Sequence, residues 1–131
     1  MRLFMHACCA WVGYGVAATT EKFRKDLLGI FGPAVASEMS VLELGTLYGG
    51  TTAFLANAFG YVISVDRDVG FLRAARESIG KKQKNVAFFA LDIYVDSWSQ
   101  LLANDVDLVF IDAAHDYVSV MSYVGTYFIH R

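Results

Sequence analysis

The sequence predicts an α/β fold, a parallel sheet with helices on its faces. Three observations carry this. Short apolar runs at 41–44, 61–65, 86–91 and 106–111 alternate with segments of helical character, and strands separated by helices pair in parallel through crossovers. Within those runs the apolar residues are consecutive rather than alternating, as in strands buried on both faces. A hydrophobic share of 56% in 131 residues is enough to fill a core on each side of such a sheet.

Residues 1–20 form an apolar N-terminal segment of unassigned role, and residues 21–131 the domain. Arg2 before a mostly apolar stretch ending in Ala17, Ala18 and Thr19 has some character of an export signal. His6, Gly13 and Gly15 interrupt that stretch, so the expectation is a cytoplasmic chain without a membrane span. Cys8 and Cys9 are adjacent, a spacing at which a disulfide is strained. No second ligand pair joins them and His6, so they read as reduced thiols and not as a metal site.

In residues 21–30, Phe23, Leu27 and Leu28 alternate with charged residues as in an amphipathic helix, with Thr19 or Thr20 as its cap. Gly32 and Pro33 end it, because proline cannot continue a helix. The strand 41–44 runs into a glycine-rich turn, 45–50, and 51–59 is apolar on nearly every side, as befits a helix packed deep against a sheet. Strand 61–65 ends on Asp66. Residues 69–79 form the clearest amphipathic helix, with Phe71, Leu72, Ala75 and Ile79 on one side. Gly80 stops it, and Lys81, Lys82 and Lys84 complement the negative end of its dipole. Strand 86–91 ends on Asp92, 97–102 is a short helix, strand 106–111 ends on Asp112, and a further helix is expected from 118 onward.

Eleven basic against thirteen acidic side chains leave a formal charge of -2. That excludes nucleic acid as the primary partner, since phosphate binding shows as a basic excess. In an open parallel sheet, ligands bind beyond the carboxyl ends of the strands. Asp66, Asp92 and Asp112 stand at those ends, so they line one cleft whose sign suits a cationic ligand and disfavours a polyphosphate. Glu43 lies inside an apolar strand, where a carboxylate is costly unless something satisfies it.

The turn reads Gly45, Thr46, Leu47, Tyr48, Gly49, Gly50, Thr51. A triphosphate-binding loop needs lysine after its last glycine, where Thr51 stands. A dinucleotide fingerprint needs glycine two residues after the first, where Leu47 stands. Asp66 is compatible with NAD, which leaves a nicotinamide-dependent oxidoreductase half-domain as the alternative from another class.

The run Val41 to Thr46 followed by Gly49, Gly50, Thr51 and Thr52 resembles motif I of class I S-adenosylmethionine-dependent methyltransferases, closest to the form in small-molecule O-methyltransferases. Val65 and Asp66 resemble the second motif, Ala90 to Asp92 the third, and Val109 to Asp112 the fourth. Ala113 to Tyr117 continue in a way similar to acid-histidine loops of that family. The resemblance implies a Rossmann-like sheet with strand order 3-2-1-4 and S-adenosylmethionine as cofactor. It implies that the Gly45–Gly50 turn, with Thr46 and Gly49, lets the backbone approach the methionine part, and that Glu43 holds its amino end. It implies further that Asp66 accepts from the ribose hydroxyls, Asp92 meets the adenine amino group, and Asp112 lies near the methyl donor and a small-molecule acceptor. His115 is either the general base or a loop histidine. Asp112 with Asp116 lacks the further oxygen ligands a divalent cation needs, and no metal is expected.

The family fold has seven strands, of which this sequence supports four. The expectation is therefore a chain truncated after the fourth strand, with an open apolar edge there that a second copy of the chain would cover. A noncatalytic binding or interaction module is the remaining alternative.

Overall fold

The computed structural model describes residues 3–6, 19–79, 81–96, 101, 105–113, 118, 119, 121, 122 and 125. Its centre is one parallel sheet built from β1 (Leu3–His6), β2 (Ser40–Leu44), β3 (Tyr61–Asp66), β4 (Val86–Ala90) and β5 (Leu108–Ile111), in the order β1-β5-β2-β3-β4. The four strands read from the sequence thus stand in the order 3-2-1-4. The helices are α1 (Glu21–Phe31), α2 (Pro33–Ala36), α3 (Gly50–Ala58) and α4 (Val69–Ile79).

Local chemistry sets the helix ends. The Thr20 hydroxyl accepts the Phe23 N–H at 3.2 Å and caps α1. Gly32 closes that helix by donating to the Leu28 carbonyl, and Pro33 opens α2 at a position where no N–H is needed. Asp68 Oδ1 accepts from Gly70 N and Phe71 N, satisfying amides in the first turn of α4.

The consecutive apolar residues of each strand divide between the two faces. Leu42, Leu44, Ile63, Val65, Val109 and Ile111 form one buried cluster with Leu91, Leu101 and Val106. Val41, Val62, Leu108 and Phe110 form the other, with Leu27 of α1 and Leu55, Ala56 and Phe59 around α3. Glu43 stands between Leu42 and Leu44, and Ser64 between Ile63 and Val65, all of the first set, so alternation puts both on the second face.

Two expectations are corrected. β5 does not present an open edge, because β1, from the segment left unassigned in the sequence, pairs with it in parallel from Leu3 beside Leu108 to His6 beside Ile111. The motive for covering that edge with a second copy is removed. The fourth strand also starts later than 106, at Leu108, since Asp107 turns its carboxylate to the Ser40 amide (2.8 Å) and hydroxyl (3.0 Å). The helices expected at 97–102 and from 118 lie for most of their length outside the described residues, although Leu101, Val118, Ser119, Met121, Ser122 and Gly125 are helical. Among the described residues, no helix is long and apolar enough to cross a membrane.

Candidate functional site

At the carboxyl ends of β2, β3 and β5, and just past β4, the chain encloses a cavity of about 320 Å³. Gly45, Asp66, Asp92 and Asp112 lie on its wall together with Leu47, Val65, Arg67, Leu91, Ile93, Tyr94 and Ala113. Three of the acidic strand ends therefore do converge, and among the described residues Arg67 is the one basic side chain on that wall. The size suits a small organic ligand, and the balance of charge favours a cationic one.

The turn after β2 is shaped by its backbone. Gly45 (φ +103) packs so closely on the end of β5 that a Cβ there would lie 2.4 Å from the Asp112 carbonyl oxygen. Gly49 (φ +81) would set a Cβ 2.9 Å from that of Ala75 on α4. Leu47 adopts φ +48, the left-handed conformation that glycine takes without cost and a leucine only under constraint. The constraint is Asp66. Its Oδ2 accepts the Thr46 N–H at 3.1 Å and the Leu47 N–H at 3.0 Å, while Oδ1 accepts the Asp68 N–H at 2.9 Å.

Asp92 likewise serves its own turn, with Oδ1 accepting from Tyr94 N at 3.0 Å. Ending a strand and lining the cavity are thus one arrangement at both aspartates, not alternatives. Asp112 is half-buried, its N–H donated to the Leu44 carbonyl at 2.8 Å.

Glu43 is elsewhere. It is wholly buried and off the cavity wall, beneath the glycine turn. Oε2 accepts from the Ser64 hydroxyl at 2.5 Å and the Thr52 hydroxyl at 2.6 Å, and Oε1 has no hydrogen-bond partner among the described residues. Burial pushes its carboxyl up to about 8; the Ser64 and Thr52 hydroxyls oppose the rise, and the charges of Asp112 and Asp66 add to it. A neutral carboxyl fits the geometry: an Oε2–H can donate to Ser64, whose own proton can pass to Thr46, while Oε2 still accepts from Thr52, and the unpartnered Oε1 costs less on a neutral group than on a charged one.

A carboxyl raised from 4.5 to about 8 on folding gives stability that is complete below 4.5 and lost as pH rises through 8. Glu43→Gln cannot ionise, so its stability relative to the wild type should improve by roughly 4 kcal/mol, to order of magnitude, between pH 4.5 and 8.5. Urea midpoints of both proteins at the two ends of that range test this, and parallel pH profiles would refute it.

Thr46 is buried, and its hydroxyl meets that of Ser64 at 2.7 Å. Gly49 and Gly50 shape the turn and the start of α3 but are off the cavity wall. His115 and Asp116 lie outside the described residues. Among the described residues, no group of three metal-ligating side chains is assembled.

Sequence reasoning missed Ser64 and Thr52, the partners of Glu43. A signal was present: Ser64 interrupts the apolar run of β3 as Glu43 interrupts that of β2, and the two are register partners. Arg67, Ile93 and Tyr94 were missed because nothing local distinguishes a turn residue on a cavity wall from one facing water.

Residues 42–130 match a family model described as a methyltransferase domain. No curated protein matches the chain. Among solved structures, the chain is similar to an O-methyltransferase from Bacillus cereus in complex with SAH, with a TM-score of 0.62 and 24% identity over 88% of this chain and 54% of that one. It is also similar to phosphoethanolamine N-methyltransferase 1 from Haemonchus contortus, in complex with phosphoethanolamine and S-adenosylhomocysteine, with a TM-score of 0.59 and 21% identity over 79% of this chain and 22% of that one. An rRNA methylase from Streptococcus thermophilus gives a TM-score of 0.63 and 13% identity over 81% and 60%. The chain thus spans between 22% and 60% of the length of these three structures.

Proposed function

The chain belongs to the methyltransferase-domain family, and on that premise we propose that it binds S-adenosylmethionine in the acidic cavity and directs its methyl group to a small-molecule acceptor. The observation that carries this is the convergence of Asp66, Asp92 and Asp112 on one cavity beside a glycine turn with no room for a Cβ at Gly45.

The residues present fit that cofactor. Its sulfonium and ammonium are cations, and three carboxylates face the space they would enter. Asp66 accepts three backbone amides, and a carboxylate has about four acceptor positions, so Oδ1 keeps one for a ribose hydroxyl. Asp92, with Oδ1 engaged by its own turn, has Oδ2 for the adenine amino group. Leu47, Leu91 and Ile93 give the cavity its apolar surface. Glu43 acts from beneath, holding Thr52 and Ser64 and through Ser64 the Thr46 hydroxyl, and so supports the turn without touching the ligand.

The cofactor supplies a methyl group activated on sulfur. The chain's part is to hold that group in line with an acceptor and to keep water away. Asp112, at the end of β5, is the side chain placed to orient the acceptor. His115, three residues on, is the proposed base that takes a proton from an acceptor hydroxyl. Catalysis rests mainly on alignment, the base adding a smaller factor.

Calorimetric titration with S-adenosylhomocysteine, beside a titration with NAD, tests the reading. Saturable binding of the first and none of the second is expected. Binding of NAD alone would replace this proposal with the oxidoreductase alternative, whose pyrophosphate the acidic wall disfavours.

A further inference from the structure

Asp112 is held by a hydrogen-bonded chain that begins in α1. The Thr51 hydroxyl, in the first turn of α3, lies 3.2 Å from Asp112 Oδ2. Thr51 Oγ1 also lies 3.4 Å from the Thr19 backbone nitrogen. Thr19 in turn accepts from Arg24 Nε at 3.0 Å, and the Arg24 guanidinium sits over the Phe54 ring, 5.2 Å from its centre. Thr19 and Thr51 are both buried.

The direction of each bond follows from the atoms. A backbone N–H can only donate, so Thr51 Oγ1 accepts from Thr19. The single Thr51 proton is left for the carboxylate, which can only accept while it is ionised. The neighbouring Thr52 gives its proton to Glu43. Two consecutive hydroxyls on α3 thus serve two acidic residues of adjacent strands, one buried and one on the cavity wall.

We propose that Thr51 is a positioning residue: it fixes the Asp112 carboxylate toward the first turn of α3, and the Thr19 amide sets the direction of its hydroxyl. The stretch leading into α1 therefore belongs to the support of the site, although it is far from β5 in sequence. Arg24 stacked on Phe54 docks α1 against α3 and keeps Thr19 in reach. The consequence for function rests on the cofactor reading above, in which Asp112 faces the cationic part of the ligand.

The test is a set of S-adenosylhomocysteine titrations on the wild type, Thr51→Val, Thr51→Ser, Asp112→Asn and the double variant Thr51→Val/Asp112→Asn. Valine keeps the shape of threonine and puts a methyl group in place of the hydroxyl. Thr51→Val should weaken binding about five- to tenfold, less than the tenfold or more that a hydrogen bond to a charged group is worth, because Thr51 acts on the ligand only through Asp112. Thr51→Ser should recover most of that loss. In the Asp112→Asn background, Thr51→Val should have little further effect. A loss of the same size in both backgrounds would overturn the proposal, because Thr51 would then act by another route.

A ligand-free measurement separates this inference from the cofactor reading. The Asp112 carboxyl, followed by carbon NMR, should titrate at higher pH in Thr51→Val than in the wild type, since a donor to its ionised form is gone. Glu43 and Asp66, the neighbouring carboxyls, are unaltered in that comparison. If the wild type binds no S-adenosylhomocysteine, the cofactor reading fails and the NMR result alone decides the role of Thr51. An unchanged titration overturns it.

Discussion

Asp66→Ala is expected to lower affinity for S-adenosylhomocysteine by roughly two to three orders of magnitude: the lost charge-assisted bond to the ribose, at about 1.5–3 kcal/mol, accounts for about one to two of them, and the loosened turn for the rest. The carboxylate has two duties. It holds the Thr46 and Leu47 amides through Oδ2, and in the proposed complex it accepts a ribose hydroxyl through Oδ1. Alanine ends both. The turn would lose the anchor that keeps Leu47 at φ +48, and a strained backbone persists only where its surroundings over-determine it. Asp66→Asn separates the two duties, because its one remaining acceptor oxygen can still take the two turn amides while the other position becomes a donor. It should therefore keep more of the thermal stability than Asp66→Ala and still bind poorly. Calorimetry and thermal unfolding of both variants decide the matter. Affinity within about threefold of the wild type in Asp66→Ala would remove Asp66 from the site.

Gly45→Ala should cost the fold itself, on the order of 3 kcal/mol or more. The added Cβ would stand 2.4 Å from the Asp112 carbonyl oxygen and 2.7 Å from its carbon, both backbone atoms that no rotamer change can move. The two bonds beside it, Gly45 N to the Val65 carbonyl and Asp112 N to the Leu44 carbonyl, each 2.8 Å, tie β2 to both neighbours, so relief on one side is paid on the other. A fall in melting temperature of about 10 °C or more is expected, with ligand binding lost. Gly29→Ala is the internal control. That glycine lies in α1 with nothing within 4 Å of an added Cβ, and alanine there should stabilise by about 0.5–1 kcal/mol. Two equal melting curves for Gly45→Ala and the wild type would contradict the packing described for the turn.

What the sequence made legible was whatever depends on near neighbours. The strands β2 to β5, the caps at Thr20 and Gly32 and the amphipathic α4 follow from local pattern, and the aspartates at strand ends follow from topology. β1 was missed because Leu3–His6 opens a mostly apolar stretch that has no period to mark a strand. The state of Glu43 depends on Ser64, which β3 brings alongside, and on Thr52, which α3 turns inward. Residue type points Asp66 at a ligand, and the fold adds that three of its acceptor positions go to the backbone of the turn. That division could not be read from residue types, since it depends on the φ of Leu47. The Thr51 contact joins residues 61 apart in sequence, a distance at which no spacing rule operates.

The pairing of β1 with β5 has a consequence for how the chain is made. Leu3 lies beside Leu108, so of the five strands the first synthesised has the last as its partner. At about 5–20 residues per second, β1 waits on the order of several seconds as an unpaired apolar segment while β2, β3 and β4 emerge and can already pair with each other. The nascent chain should therefore hold a partly built sheet whose two remaining strands close together, in one late and cooperative step.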